Sequence, residues 1–252
     1  MLIDSHAHVD VKDFDPDRDL VLSKCQITVV NAGVDLKSNL LSIEMSKVYR
    51  NVIPAVGLHP EYVERADQEL EETLRLIDLV PLISEVGLDF FWIKEEPLRA
   101  KQIQVLNRFM EVGEKQGKAL IIHSRGGLKK IMEMVSSYKV RFAIHAFEGS
   151  VKDAKRIEEM GGFISVPPIL VRDKGRMEVV RNVSEDSLLT ETDSPFMGPD
   201  RTRNEPCNVK ITLQRISEIK GINLIELEEK IENNFRRLLG PYSFSGANLT
   251  NR

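Results

Sequence analysis

The stretch Ala119-Leu120-Ile121-Ile122-His123 decides the fold, because four consecutive apolar residues lead directly into a histidine. A strand with one buried face alternates apolar and polar residues, whereas a strand that is buried on both faces is apolar throughout. The run therefore predicts a strand inside a parallel sheet that is covered on both faces, with His123 at its carboxyl end.

Short runs rich in Val, Ile and Leu recur along the 252 residues, and segments with helix signals lie between them. The eight predicted strands are Leu2 to His8, Ile27 to Gly33, Asn51 to His59, Val80 to Asp89, Ala119 to His123, Arg141 to Phe147, Gly162 to Val166 and Leu188 to Asp193. Strand and helix repeated at intervals of roughly 20 to 35 residues are typical of a closed parallel barrel. We predict an α/β protein with a (β/α)8 TIM barrel formed by a single domain, residues 1–252. A doubly wound open sheet is the alternative.

The helix signals are capping residues, prolines in first turns, glycines after last turns and apolar stripes. They predict an N-cap at Asp15, a capping box of Ser150 and Asp153, and helices over Pro97 to Gly117, Val209 to Lys220 and Ile225 to Leu239. From about residue 242 we expect a loose polar tail.

The composition is that of an ordinary globular protein, with 42% apolar and 29% charged residues. A net charge of −4 excludes a global positive field that would hold long nucleic acid. Cys25 and Cys207 match neither a CxxC pair nor a disulfide framework, so we interpret both as incidental. The residues Met1 to His6 lack the basic patch and apolar stretch of a signal peptide, and no run approaches membrane-spanning length, so we expect neither feature. We expect a cytoplasmic protein with no membrane contact and no obligatory protein partner.

All five histidines of the chain fall at the carboxyl ends of predicted strands. In a (β/α)8 barrel these ends build the active site, so residues that are distant in sequence converge there. Glu85 and Asp89 close the fourth predicted strand, and Glu191 and Asp193 close the eighth. Imidazoles and carboxylates in one pocket are ligands of divalent metal ions. The histidines are His6, His8, His59, His123 and His145.

The spacing of these residues predicts two neighbouring metal ions. His6 and His8 are two residues apart, so a strand points both rings to the same side, where one ion can take both. His123 and His145 close adjacent strands, which lie under about 5 Å apart in a sheet, and their rings could share a second ion. We expect Glu85 to bridge the two ions.

Glu191-Thr192-Asp193-Ser194-Pro195 ends the last strand with two acids whose side chains point to the same side. A carboxylate beside a metal-activated water can act as both ligand and proton carrier, and we assign these roles to Asp193. Asp193 and Glu85 are the predicted catalytic residues. A turn or helix N-cap is the alternative role of the Asp-Ser-Pro segment.

These motifs resemble the TatD family of metal-dependent hydrolases, within the amidohydrolase-like group of barrels. The similar motifs are Asp4-Ser5-His6-Ala7-His8-Val9-Asp10, Gly57-Leu58-His59-Pro60, Glu85-Val86-Gly87-Leu88-Asp89, Ile122-His123-Ser124-Arg125, His145-Ala146-Phe147, Thr190-Glu191-Thr192-Asp193-Ser194-Pro195, Asn204-Glu205-Pro206 and the segment Asn234 to Leu238. They follow the family's order over nearly the whole chain. The sequence departs from the family pattern at Ser84, at Ala146, at Glu148-Gly149-Ser150 and most strongly at Ser165-Val166-Pro167-Pro168.

The resemblance implies metal ligands at His6, His8, Glu85, His123, His145 and Asp193. It also implies that His59 and Arg125 contact the substrate, and the Asn204-Glu205-Pro206 motif adds Glu205 to these contacts. Because the family includes enzymes that trim DNA from its 3′ end, we expect a phosphodiesterase or deoxyribonuclease. Two divalent ions (Zn, Mn or Mg) would hold a hydroxide, and the substrate would be a nucleic acid end or a small phosphoester.

Three features leave alternatives open. Arg125 can grip a phosphate through its planar fork or form a salt bridge with a nearby acid. Phe90-Phe91-Trp92 can stack a base or cap the barrel. Basic loop residues can follow a phosphate chain or form a solvated rim; they are Arg172, Lys174, Arg176, Arg201 and Arg203.

The chemistry has alternatives of its own. A metal pair also polarises carbonyl groups, so an amide, ester or lactone hydrolase is a second hypothesis. A catalytically silent metal-binding scaffold is a third.

Overall fold

Eight parallel strands form one sheet in which each strand pairs with its neighbours in sequence. The computed structural model describes residues 1–245 and 248–251. The strands are β1 (Leu2–Ala7), β2 (Ile27–Ala32), β3 (Val52–Val56), β4 (Leu82–Asp89), β5 (Ala119–Arg125), β6 (Phe142–Ile144), β7 (Phe163–Val166) and β8 (Leu188–Thr190). Together with the helices between them, they form the predicted (β/α)8 barrel, which is confirmed.

Nine α-helices are present within the described residues. They are α1 (Arg18–Ser23), α2 (Leu36–Val48), α3 (Ala66–Leu76), α4 (Glu96–Gln116), α5 (Leu128–Val135), α6 (Val151–Glu159), α7 (Lys174–Asn182), α8 (Val209–Lys220) and α9 (Leu224–Leu239). Short 3-10 helices precede or follow several of them, among them Pro60–Arg65 and Pro206–Asn208. In the described part of the chain, no helix has both the length and the apolar character needed to cross a bilayer.

The core consists of strand residues packed against the inner faces of the helices. Ile83 from β4 and Leu120 from β5 are fully buried, and α4 packs Leu106, Phe109 and Met110 into the same cluster. Burial of each such side chain contributes about 1.5–3 kcal/mol to the free energy of unfolding. This rigid core fixes the positions of the strand ends.

The barrel closes where the first and last strands meet. The Thr190 hydroxyl donates a hydrogen bond to the Ile3 carbonyl over 2.6 Å. Beyond the end of β8, the Asp193 amide donates to the His6 carbonyl over 2.8 Å, and the His8 amide donates to the Ser194 carbonyl over 2.9 Å. The seam therefore runs between His6 and His8, at the carboxyl end of β1, and Asp193, which follows β8.

Most of the helix ends that the sequence signals predict agree with those in the structure. The capping box of Ser150 and Asp153 begins α6, and α4 ends at Gly117, whose φ of 64° a glycine adopts without strain. The predicted N-cap at Asp15 is wrong. A 3-10 turn at Lys12–Phe14 delays the helix, so that α1 begins after Asp17, while Asp15 instead accepts a hydrogen bond from Arg18.

The prediction of a loose tail is wrong for most of the segment. Tyr242–Ser245 and Asn248–Asn251 form an antiparallel pair of strands, β9 and β10. The sequence Tyr242-Ser243-Phe244-Ser245 alternates aromatic and small polar residues, which is the period of a strand. Gly246, Ala247 and Arg252 lie outside the described residues.

The interpretation of the two cysteines as incidental is also wrong. Cys25 and Cys207 form a disulfide although they lie 182 residues apart in sequence. The fold brings the loop before β2 next to the 3-10 helix Pro206–Asn208, a proximity that no sequence spacing reveals. Disulfides are typical of oxidising compartments, so the cysteines do not support the cytoplasmic location, which stays a prediction.

We predict that replacing both cysteines with serine lowers the free energy of unfolding by about 2–5 kcal/mol, because the cross-link restricts the unfolded chain. Urea denaturation of the wild type and of the Cys25→Ser/Cys207→Ser variant measures the difference. A reducing agent should bring the wild type to the stability of the variant and leave the variant unchanged. Two reactive thiols in untreated, denatured wild-type protein would contradict the disulfide.

Candidate metal centre

The carboxyl ends of the strands surround a cleft of about 490 Å³. Its lining includes His8, His59, Glu85, His123, Arg125, His145 and Asp193. His6 is fully buried at its base, where its ring stacks on that of His145 at 4.1 Å. The structure thus brings all five histidines together with Glu85 and Asp193.

The Glu85 carboxylate lies between two groups of imidazoles. Its Oε1 atom is 2.9 Å from His123 Nδ1 and 3.0 Å from His145 Nε2. Its Oε2 atom is 3.3 Å from His8 Nε2 and 3.4 Å from His6 Nε2. One carboxylate oxygen thus faces each predicted pair of histidines.

Asp193 completes the group on the side of His6 and His8. Its Oδ1 atom is 3.4 Å from His8 Nε2 and 3.7 Å from His6 Nε2. These three residues, the set His6, Glu85 and His145, and the set His59, Glu85 and His123 each present three candidate ligand atoms within 4.8 Å of one another. Such spacing is compatible with metal ions.

Hydrogen bonds orient the rings of His6 and His8 so that Nε2 of each ring faces the Glu85 carboxylate. The Ala32 carbonyl can only accept, so His8 Nδ1, 3.0 Å away, donates to it and leaves Nε2 facing the cleft. His6 Nδ1 contacts the Ser84 hydroxyl at 3.3 Å. The buried His6 Nε2 has no hydrogen-bond partner among the described residues. A buried nitrogen without a partner in a cluster of carboxylates and imidazoles fits a metal ligand.

His123 is oriented in the same way by a carboxylate to which the sequence patterns assign no role. Asp89 Oδ2 accepts a hydrogen bond from His123 Nε2 over 2.9 Å, which turns Nδ1 toward Glu85. A carboxylate bound to the outer nitrogen of a ligating histidine is a common feature of metal sites. The sequence alone identifies Asp89 only as an acid at a strand end.

His59 differs from the other four histidines. Its Nδ1 accepts the Glu61 backbone amide over 3.2 Å, so Nε2 carries the proton and donates to Glu85 Oε1 over 3.1 Å. A nitrogen that bears a proton is a hydrogen-bond donor and not a ligand. This tautomer supports a substrate contact for His59.

Electrostatics at the centre favour bound positive charge. Burial opposes ionisation of Glu85, but the electrostatic influence of the His59 and His145 rings, together with hydrogen bonds from His123 and His145, holds its pKa well below its ordinary value. Burial also opposes a charge on His123, yet its hydrogen bonds to Asp89 and Glu85 raise its pKa to about 10. Burial lowers the pKa of His6 to about 4, so this ring stays neutral and keeps its lone pair.

A network of buried polar groups positions Asp193. Asp193 adopts a φ of 54°, a strained value for a residue other than glycine, which the surrounding contacts must enforce. The buried Asp4 carboxylate accepts hydrogen bonds from the amide and hydroxyl of Thr192. The Asn204 side chain donates to the carbonyls of Thr192 and Phe196. The segment that carries Asp193 is therefore held from both sides.

Glu191 lies behind His145 and not in the cleft. Its carboxylate accepts hydrogen bonds from the Ala146 amide and from the Ser165 hydroxyl, each over 2.6 Å. Burial raises its pKa to about 7. Two positions at which the sequence departs from the family pattern, Ala146 and Ser165, therefore meet at this buried acid.

Glu205 is not among the residues that line the cleft. Its carboxylate lies 2.6 Å from Lys24 Nζ and 3.4 Å from Arg203 Nη2. The structure thus places it in surface ion pairs beside the disulfide. A role of Glu205 in substrate binding stays a prediction.

Arg125 and the basic loop residues behave differently. No carboxylate within residues 1–245 forms a salt bridge with Arg125, whose guanidinium instead lies 4.4 Å from the centre of the Phe91 ring. Arg176, by contrast, is buried and paired with Asp173 and Glu148. Arg203 is paired with Asp17. These two basic loop residues are therefore neutralised within the protein.

An eight-stranded barrel that gathers imidazoles and carboxylates at the ends of its strands defines the class of metal-dependent barrel hydrolases. Comparison with known proteins identifies the family within this class. The family described as TatD related DNase matches residues 3–240, and the chain belongs to this family.

The chain is similar to its relatives over almost its full length. It is 30% identical over 240 positions to an uncharacterized metal-dependent hydrolase of Methanocaldococcus jannaschii, with 92% of this chain and 94% of that protein covered. It is 30% identical over 257 positions to the deoxyribonuclease TATDN3 of Homo sapiens, with 94% of each chain covered.

Solved structures share the fold. A TatD homologue of Escherichia coli superposes with a TM-score of 0.85 at 22% identity, and 94% of this chain and 97% of that chain are covered. A TatD family hydrolase of Entamoeba histolytica gives a TM-score of 0.82 at 21% identity with the same coverage.

We predict that Glu85→Gln lowers the affinity for zinc and manganese by at least about tenfold, because an amide removes the charge that faces both pairs of histidines. Equilibrium dialysis measures the affinity. The matched control Glu205→Gln changes a carboxylate outside the cleft and should bind metal like the wild type. Equal affinity of Glu85→Gln and wild type would exclude Glu85 as a shared ligand.

Proposed function

We propose that this TatD-family hydrolase cleaves phosphodiester bonds at the 3′ end of DNA with two divalent ions, and that residues 1–252 act as one domain. The observation that carries the proposal is the Glu85 carboxylate, which has one oxygen at each of two pairs of histidines. The deoxyribonuclease relative in Homo sapiens supports the choice of substrate.

The orientations of the rings support a division of the ligands between two ions. One ion would be held by His6, His8, Asp193 and the nearer oxygen of Glu85. The other would be held by His123, His145 and the second oxygen of Glu85. An imidazole-rich set suits zinc or manganese better than magnesium, which prefers oxygen ligands.

When bound, the ions would polarise the phosphate group and lower the pKa of a water molecule toward neutrality. Asp193 would accept a proton from the attacking water and deliver it to the leaving oxygen, while a P–O bond to the water oxygen forms and the bond to the leaving oxygen breaks. Arg125 would bind a phosphate oxygen through its guanidinium, and His59 Nε2 would donate a hydrogen bond to the same group.

The proposed substrate is consistent with the charge of the chain. With a net charge of −4, the protein has no overall attraction for long nucleic acid, so the affinity has to come from the cleft itself. A site that grips a chain end, or a small phosphoester, needs only such local contacts. No protein partner is required for these steps.

We predict that end-labelled DNA distinguishes the direction of digestion. Labelled at the 5′ end, a strand should give a ladder of shortening products, whereas a 3′ label should be released at once. Asp193→Asn should lower kcat by about 10²–10⁴-fold, the contribution of a positioned proton carrier. Cleavage only at internal bonds would contradict action at chain ends.

Replacing Arg125 tests whether the substrate carries a phosphate. Arg125→Ala should raise KM for a phosphodiester by about tenfold to a hundredfold, because it removes a charge-assisted hydrogen bond. Arg125→Lys keeps the charge without the fork and should show a smaller increase. Unchanged kinetics in Arg125→Ala would favour an amide, ester or lactone substrate. Full metal occupancy without turnover of any of these substrates would favour a silent scaffold.

A further inference from the structure

Two aromatic side chains at the mouth of the barrel lie in solvent. Phe91 and Trp92, directly after β4, are 47% and 58% exposed. Their rings meet edge to face, with centres 4.9 Å apart and an angle of 85° between the planes. The preceding Phe90 instead packs against the apolar core and is covered by Arg99. Phe90 therefore caps the barrel. This role does not explain why the rings of Phe91 and Trp92 are exposed.

The pair is fixed to the candidate metal centre through a single carboxylate. Asp89 Oδ1 accepts hydrogen bonds from the backbone amides of Phe91 over 3.0 Å and of Trp92 over 2.8 Å. The other oxygen, Oδ2, contacts His123 at 2.9 Å. The aromatic pair is thus separated from a candidate metal ligand by one side chain.

Two cations accompany the aromatic pair. The Arg125 guanidinium lies 4.4 Å from the ring centre of Phe91 and 5.4 Å from that of Trp92. Lys94 Nζ lies 5.0 Å from the Phe91 ring centre. A guanidinium that stacks on a ring keeps its N–H groups, at its edge, available for a phosphate. Flat apolar faces beside such donors match a group that joins a flat ring to a phosphate.

We propose that Phe91 and Trp92 form a stacking site for the base of the nucleotide next to the scissile phosphodiester, with Arg125 on its phosphate. The inference rests on the proposed phosphodiesterase function and adds the means by which it holds its substrate. Stacking tolerates every base because each base has a flat face, so the site would select nucleotides over other phosphoesters without reading sequence.

Trp92 is the only tryptophan of the chain, so its fluorescence reports on the site directly. We expect a short phosphorothioate-linked oligothymidylate, which resists hydrolysis, to quench the fluorescence of the metal-loaded wild type in a saturable way. The same strand with an abasic residue at its 3′ end, and inorganic phosphate, should quench far less. Equal quenching by the intact and abasic strands would overturn the proposal.

Kinetics of variants give a second measurement. Trp92→Ala should raise KM for an oligonucleotide by between about fivefold and about a hundredfold, with a much smaller change in kcat. Trp92→Phe should restore most of the loss. Leu79→Ala, which removes a side chain 64% exposed before β4, serves as the matched control and should match the wild type.

The abasic strand separates stacking from general damage to the fold. Trp92→Ala and the wild type should cleave it with the same KM, because the ring has no base to contact. If Trp92→Ala loses affinity for both strands equally, the base is not the partner and the inference fails. Phosphodiester cleavage that is insensitive to Trp92 would leave the proposed function intact and refute only the stacking site. Absence of cleavage by the wild type would instead refute the proposed function.

Discussion

Charge balance around Glu85 is the constraint on which the rest of the site depends. A carboxylate buried without partners would be strongly disfavoured, and four elements of the barrel supply the imidazoles that surround this one. Glu85 has to be buried, its side chain has to point into the barrel from the end of β4, and each imidazole has to lie within a short distance of its carboxylate. The closed barrel meets these requirements because its strands all end at the same rim.

The strand pattern made the fold predictable, whereas contacts between distant segments were not. Runs such as Ala119 to Ile122 are apolar throughout because helices cover one face of the sheet and the barrel interior lies behind the other. The start of α1 was placed too early because a 3-10 turn uses the same residue types as a helix N-terminus. The disulfide depends on which distant loops become neighbours, and a local pattern does not encode that. The terminal strand pair, by contrast, has the period of a strand in residues 242–245, and the prediction of a loose tail overlooked this signal.

The sequence predicted which residues meet at the candidate site, but it did not predict how their side chains are oriented. Strand ends predicted that His6, His8, Glu85, His123, His145 and Asp193 would meet, since the carboxyl edge of a barrel collects them. Ring orientation depends on the hydrogen bonds to Ala32, Ser84 and Asp89, which follow from side-chain geometry that sequence spacing leaves open. For the same reason Glu205, which belongs to a predicted motif, lies among surface ion pairs instead of in the cleft.

The position of the metal centre at the seam between β1 and β8 has a consequence for stability. His6 and His8 lie at the end of the first strand and Asp193 follows the last strand of the barrel, so an ion bound by all three would cross-link these two strands. A ligand that binds only the closed barrel stabilises it in proportion to the logarithm of its concentration. The concentration of the ion would then set the stability of the folded barrel as well as its activity.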